Sequence, residues 1–488
     1  FDLGYPAPPT SLKGLGAAAS VALTWTRNTE ADLLGYNVYR SAAQAGPYTK
    51  VNVIPTGRTA YYTDPGLAPL TRYYYQVAAV DSSGNESSRS VYAATSTNAP
   101  MHSIFPVPMG RNTPAPVALE YIYSSSQMDI VAGADVLYVL HADGTAPVDA
   151  DGTGATLGDF TSLGSYYAAG PSVAPLVPGQ GWSIIAPSWE TRQIYAFDTA
   201  GNVRPGFPVA TLDDLWSSIA VGDLDGDGSM EMVTGSNGSR IYALHANGTE
   251  LIDGDANPAT TGVFKQLSAG PNFCTPALAD IDNDGLPEIV LASGNGRVYA
   301  WNADGSDVPG FPIVTTTYFN SSPAVGYLDG PGDTSLEIVV PGTNDSLYVF
   351  EPNGTRRAGW PQWNRTSGTS KCPSPAIADM NGDGYNDIVF QSTNGYVFTY
   401  NRNGGIVFPI WGIKHTTLTT GTAECSPIVA DLDGDGHNDV LVGDESGNLT
   451  AISGLDATVL PGFPIQLAAE VRGTPAVGDI DGDGMTEI

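Results

Sequence analysis

The sequence predicts an all-β chain: a small β-sandwich followed by a β-propeller of eight, alternatively seven, blades. Three observations predict it. Short alternating apolar runs are separated by turns, in keeping with 58 Gly and 37 Pro among 488 residues. From about residue 103 a four-piece strand pattern returns roughly every 50 residues, the period of a propeller blade. An acidic nonapeptide recurs inside that pattern: "DLDGDGSME" at 223, "DIDNDGLPE" at 280, "DMNGDGYND" at 379, "DLDGDGHND" at 431 and "DIDGDGMTE" at 479.

The sandwich is expected within residues 1–98. Its strands are "SVALTWT" ending near Trp25, "LGYNVYRS", "AYYTD", "TRYYYQVAAVD" and "SVYAATS". Their length and turn spacing suit about seven strands in ~90 residues. Residues 99–113 read as a linker, with Phe105, Pro106 and Val107 as a candidate closing strand. Residues 114–488 are the repeats. Their third pieces are "IYAFDTAG", "IYALHANG", "VYAWNADG", "LYVFEPNG", "VFTYNRNG" and "LTAISGLD", and their fourth pieces are of the "GFPIV" type. Seven full units run from 114 to about 466. An eighth starts at "GTPAVGDIDGDGMTEI" and is incomplete, so either further chain or a strand from a neighbouring subunit is expected to complete it, since an unpaired β edge recruits strands.

Crowded carboxylates repel unless a cation lies between them. Acids at positions 1, 3 and 5, glycine at 6, a backbone carbonyl at 7 and an acid at 9 suit a hard cation, and Ca²⁺ is the expected cofactor. The expected ligands are Asp223, Asp225, Asp227, Ser229 and Glu231; Asp280, Asp282, Asp284, Leu286 and Glu288; Asp379, Asn381, Asp383, Tyr385 and Asp387; Asp431, Asp433, Asp435, His437 and Asp439; and Asp479, Asp481, Asp483, Met485 and Glu487. Position 7 acts through its carbonyl whatever its side chain. This is not an EF-hand, which needs an acid at position 12 and flanking helices. Asn381 removes one charge, so the loop at 379 should bind more weakly. In the unit "PAVGYLDGPGDTSLEIVV" Tyr327 stands at position 1, and that loop should be metal-free or irregular although Asp329, Asp333 and Glu337 remain. The first two units keep the strands without the acidic motif.

Residues 6–98 resemble a fibronectin type III domain through Trp25, "GYNVYRS", "YTD", "SGNES", and Tyr73 and Tyr75. The five loops with their following "EIV"-type strands resemble the FG-GAP/VCBS repeats, whose relatives include the seven-bladed propellers of integrin α chains. That resemblance implies Ca²⁺ in the hairpin between the first and second strands of a blade. It does not imply integrin function.

The net charge of −31 disfavours nucleic acid and anionic membrane as partners. No apolar run approaches the ~18 residues of a membrane span. Cys274, Cys372 and Cys425 recur at one repeat position and read as small buried residues; a Cys372–Cys425 disulfide is the alternative. None of the five histidines falls in a catalytic motif. The expected function is a non-catalytic, calcium-stabilised extracellular or cell-surface module for binding, adhesion or surface assembly, within a longer secreted bacterial protein. The partner would be an extracellular protein or glycan, with self-assembly through the incomplete unit. Trp216, Phe273, Tyr318 and Phe319, in loops before first strands, are candidate ligand contacts. One alternative is a polysaccharide lyase resembling the propeller rhamnogalacturonan lyases, which needs a base and clustered cations. Another is a structural subunit of a filament or coat.

Overall fold

The structure is a computed structural model that describes residues 4–17, 19–69, 71–97, 107, 109, 113–150, 158–161, 163, 166–268, 274–367, 373–393, 395–407, 413–414, 425–467, 469–482, 484 and 486–488. All regular elements among them are β-strands in small antiparallel sheets. The chain divides into two compact units, Phe1–Phe105 with Val459–Ile465, and Pro106–Thr458 with Gln466–Ile488.

In the N-terminal unit one sheet joins Thr10–Ala17, Ser20–Thr26 and Tyr61–Pro65. The other joins Thr49–Lys50, Leu33–Ser41, Arg72–Asp81 and Ala93–Ser96 in that order. Alternation in "SVALTWT" sends Val21, Leu23 and Trp25 inward. They meet Tyr36, Val38, Tyr75 and Val77, with Trp25 set edge-on to Tyr36 at 5.1 Å. The buried Tyr75 hydroxyl donates to Asp64 at 2.9 Å, and Arg40 pairs with the same carboxylate.

In the larger unit each repeat is a sheet whose strands follow one another in sequence. Repeats are numbered here along the chain. Unit 1 has Ala118–Glu120, Asp129–Gly133 and Leu137–His141. Units 2 to 7 begin at Ser172, Ala220, Ala277, Ala324, Ala376 and Ile428, and each has four strands. Unit 8 is present as a bridge between Gly478 and Glu487. The candidate closing residues Phe105 and Pro106 lie outside the described residues, and Val107 is in no strand.

The core lies between sheets, which explains the apolar second strands. Neighbouring residues of a strand face opposite sides, so Met232 packs toward unit 2 with Ile185 and Ile194, while Val233 packs toward unit 4 with Ile289 and Tyr299. Val290 and Ile338 continue the pattern between units 4 and 5, and Val339 and Ile388 between units 5 and 6. The first strands of successive units lie side by side from unit 1 to unit 7. Ser426 of unit 7 donates its N–H to the Thr474 hydroxyl at 3.3 Å, and Met128 of unit 1 donates its N–H to the Ile480 carbonyl at 3.0 Å. The last repeat therefore touches both the seventh and the first. The "GFP"-type segments share cis bonds at Phe207–Pro208, Phe311–Pro312, Trp360–Pro361 and Phe463–Pro464.

Candidate metal loops and a hydroxyl-lined cavity

Each acidic loop joins the first strand of a repeat to the second. Position 9 is the first residue of the second strand: Glu231 pairs with Gly222, Glu288 with Ala279, Asp387 with Ala378 and Asp439 with Ala430. That register buries the position-9 side chain almost completely. Its carboxylate accepts the N–H of position 2, from Leu224 at 2.8 Å, Ile281 at 2.7 Å, Met380 at 3.1 Å, Leu432 at 2.9 Å and Ile480 at 2.9 Å. The position-1 carboxylate takes two further loop N–H groups. Asp223 accepts from Gly226 and Gly228, Asp431 from Gly434 and Gly436, and Asp479 from Gly482 and Gly484. Both donors sit in the left-handed region, with φ of 76° at Gly226 and 85° at Gly228. Where position 4 is not glycine it is Asn283, at φ 62°, the side chain that tolerates this region best.

The loops therefore hold acidic oxygens convergent. Asp280, Asp282, Asp284 and Glu288 each offer an oxygen within 4.8 Å of the others, as do Asp223, Asp225 and Asp227, and Asp431, Asp433 and Asp439. Such an all-oxygen set fits a hard divalent cation. Burial pushes Glu288 up to about 7 and Asp387 up to about 7, and raises Glu231 and Asp439. A cation placed nearby would favour the ionised form of each. Asp483 and Met485 lie outside the described residues. Ser229, Leu286, Tyr385 and His437 turn their N–H groups to the position-5 acids, Asp227, Asp284, Asp383 and Asp435.

The Tyr327 loop is built differently. Asp329, Asp333 and Glu337 converge within the same 4.8 Å. Arg357, only 9% exposed, reaches them from the chain after the third strand. It bonds Asp329, lies 3.0 Å from Glu337, and donates its Nε–H to the Arg402 carbonyl. The sequence reading expected this loop to lack a full ligand set but did not find the arginine. Two other features also escaped it. His141 bonds Asp129 at 2.6 Å, and His245 bonds Glu231 at 3.2 Å, so both histidines hold the acid that opens a second strand. His102 and His415 lie outside the described residues.

A cavity of about 340 Å³ is lined at its polar side by Ser218, Thr275, Ser322, Ser374, Ser426 and Thr474, one from each of units 3 to 8. Each of several hydroxyls accepts an N–H from the preceding unit: Thr275 from Ser218, Ser322 from Thr275, Ser426 from Ser374 and Thr474 from Ser426. Prolines and alanines of units 1 and 2 complete the wall, with Trp216 beside them. Of the three predicted aromatic contacts among the described residues, Trp216 lies here. Tyr318 is 63% exposed elsewhere, Phe319 is fully buried in the core of units 4 and 5, and Phe273 lies outside the described residues. Phe319 thus packs as core and offers no surface for stacking. Cys274 and Cys425 are buried, and burial pushes the Cys425 thiol up to about 12. Cys372, and with it the candidate disulfide, lies outside the described residues.

Comparison with known proteins gives a consistent picture. The FG-GAP-like repeat matches residues 223–291 and 379–442. The fold is similar to that of the V. cholerae biofilm matrix protein Bap1, with a TM-score of 0.54 at 13% identity over 80% of this chain and 86% of that one. A Fn3-like protein from Clostridium thermocellum is 35% identical over 20% of this chain and all of its own, at a TM-score of 0.17. Exoglucanase B of Cellulomonas fimi is 38% identical over 103 residues, which are 20% of this chain and 9% of that protein. The chain thus spans less than a tenth of that relative. No helix among the described residues is long and apolar enough to cross a membrane.

Proposed function

We propose that residues 114–488 form an eight-bladed propeller, preceded by a fibronectin type III-like domain in residues 1–98, that works as a non-catalytic, extracellular binding or matrix-assembly module. The contact of unit 8 with units 7 and 1 supports eight blades over seven. Calcium rigidifies the blades. Asp223, Asp280, Asp379, Asp431 and Asp479 and their loop partners would hold it, and the ion would offset the repulsion between their carboxylates. The likeness to a biofilm matrix protein supports the extracellular setting.

One observation carries the binding role. Among the described residues, the cavity wall combines uncharged hydroxyls with one indole and includes no ionisable side chain. Such a surface suits a neutral polyol, a sugar above all, held by hydroxyl hydrogen bonds and a stacking ring. It does not suit polysaccharide elimination, which needs a base and cations around the sugar. A glycan array read with and without EDTA tests the reading. Sugar binding that needs calcium and is lost in Trp216→Ala is the expected outcome. Absence of any glycan signal would sink the glycan reading and leave the assembly role.

A further inference from the structure

Among units 2 to 7, one register position in the repeat separates two kinds of unit. It is fixed by a shared backbone bond to the third strand: Leu251 donates to Ala243, Val308 to Ala300, Val407 to Thr399, Arg204 to Ala196 and Arg357 to Val349. In unit 7 the same position is Leu460, placed by the bond that Phe463 gives it, as Phe311 gives Val308. Units 3, 4, 6 and 7 carry the acidic motif and have Leu251, Val308, Val407 and Leu460 there. Units 2 and 5 lack the motif and have Arg204 and Arg357, whereas unit 1 also lacks the motif and has no arginine between Leu137 and Ala150.

Both arginines reach the hairpin where the motif-bearing units gather their acids. Arg357 lies among Asp329, Glu337 and Glu351. Arg204 donates to the carbonyls of Trp182 at 2.9 Å and Gln180 at 3.2 Å, and to the Gln180 side chain at 3.4 Å. A guanidinium is always charged and presents several donors in a fixed plane. It can therefore gather the oxygens of a loop as a metal ion does.

We propose that Arg204 and Arg357 are resident cations that replace the metal in units 2 and 5, so that these two hairpins close without calcium. Asp329, Asp333 and Glu337 do not fit a metal while Arg357 is present, because the guanidinium already lies against two of them. The inference concerns these two loops and would survive failure of the glycan reading.

The two units predict opposite behaviour. In the full chain, Arg357→Leu bares three convergent carboxylates. It should bind one more calcium than the unmodified chain by native mass spectrometry. It should melt below it in EDTA and recover in calcium. Arg204→Leu bares carbonyls and the Gln180 amide but no cluster of carboxylates, since residues 177–182 contain no acid. It should lose thermal stability equally in EDTA and calcium, with no change in ion count. No added ion in Arg357→Leu, or a defect that calcium leaves untouched, would overturn the proposal. Should that variant fail to fold, crystals of the unmodified chain soaked with terbium decide. Anomalous peaks at motif loops with none between Asp329 and Glu337 support the proposal, and a peak there overturns it.

Discussion

The N-terminal unit and the repeats solve the same problem by different means. The first encloses one core, in which Trp25, Tyr36 and Tyr75 dominate, and its buried carboxylate Asp64 is matched by Arg40 and a tyrosine hydroxyl. The repeats share their cores pairwise between sheets, and each motif-bearing hairpin concentrates several acids, which in unit 3 meet a single basic side chain, the His245 ring, among the described residues. Apolar burial holds the first whatever the solvent contains. The second, if its hairpins hold calcium as proposed, depends also on what the solvent supplies.

Removing calcium should break the symmetry between them most. An ion at a hundredfold excess over its Kd adds about 2.7 kcal/mol per site, and several sites act together. Calorimetry in EDTA should show a large fall of the repeat transition and almost no change in the N-terminal one. Equal melting with and without EDTA would remove calcium from the account.

A pH series in EDTA should come next in size. Glu288 and Asp387, each up to about 7, are raised above their unfolded values. Their contribution to stability is full below the unfolded values near 4 and is lost as pH rises through about 7. The metal-free repeats should therefore weaken between these limits, and calcium should flatten or reverse the trend. Metal-free repeats that gain stability over that range would contradict the buried position-9 geometry.

Trp25→Ala should act only on the other side of the comparison. It should cost the N-terminal transition about 3–5 kcal/mol, as for large aromatic truncations in a core, with the same loss in EDTA and calcium. A calcium-dependent loss would mean that the two stabilities are not separate. The smallest effect is expected from Asn381→Asp, which restores the third-position charge. Titration calorimetry should show tighter binding at one site and an unchanged number of sites.

Much of this was legible in the sequence, for a physical reason. Alternating apolar residues and left-handed glycines are local requirements, so the strands, the hairpins and the position-9 acids can be read from a few neighbouring residues. What was missed depends on residues brought together across the fold. Arg357 lies a strand away from Glu337 in sequence, and nothing in "NGTRRAGW" points to a hairpin acid. Phe319 resembles its exposed neighbour Tyr318, and only packing between two sheets separates them. The cavity hydroxyls did leave a trace, a Ser or Thr before proline at Thr275, Ser322, Ser374, Ser426 and Thr474. Its meaning emerges only when five units line one cavity.

The meeting of unit 8 with unit 1 has a consequence for time rather than for structure. Gln127 donates to the Asp481 carbonyl across a separation of 354 residues. Bringing ends that far apart together in a flexible chain costs about 5 kcal/mol of loop entropy, and each repeat that packs on its neighbour shortens the flexible stretch that remains. The contact is therefore expected late in folding, after the intervening repeats have packed. The same bonds must break before a neighbouring repeat can peel away, so the seam between first and last repeats should govern how long the folded array survives a protease.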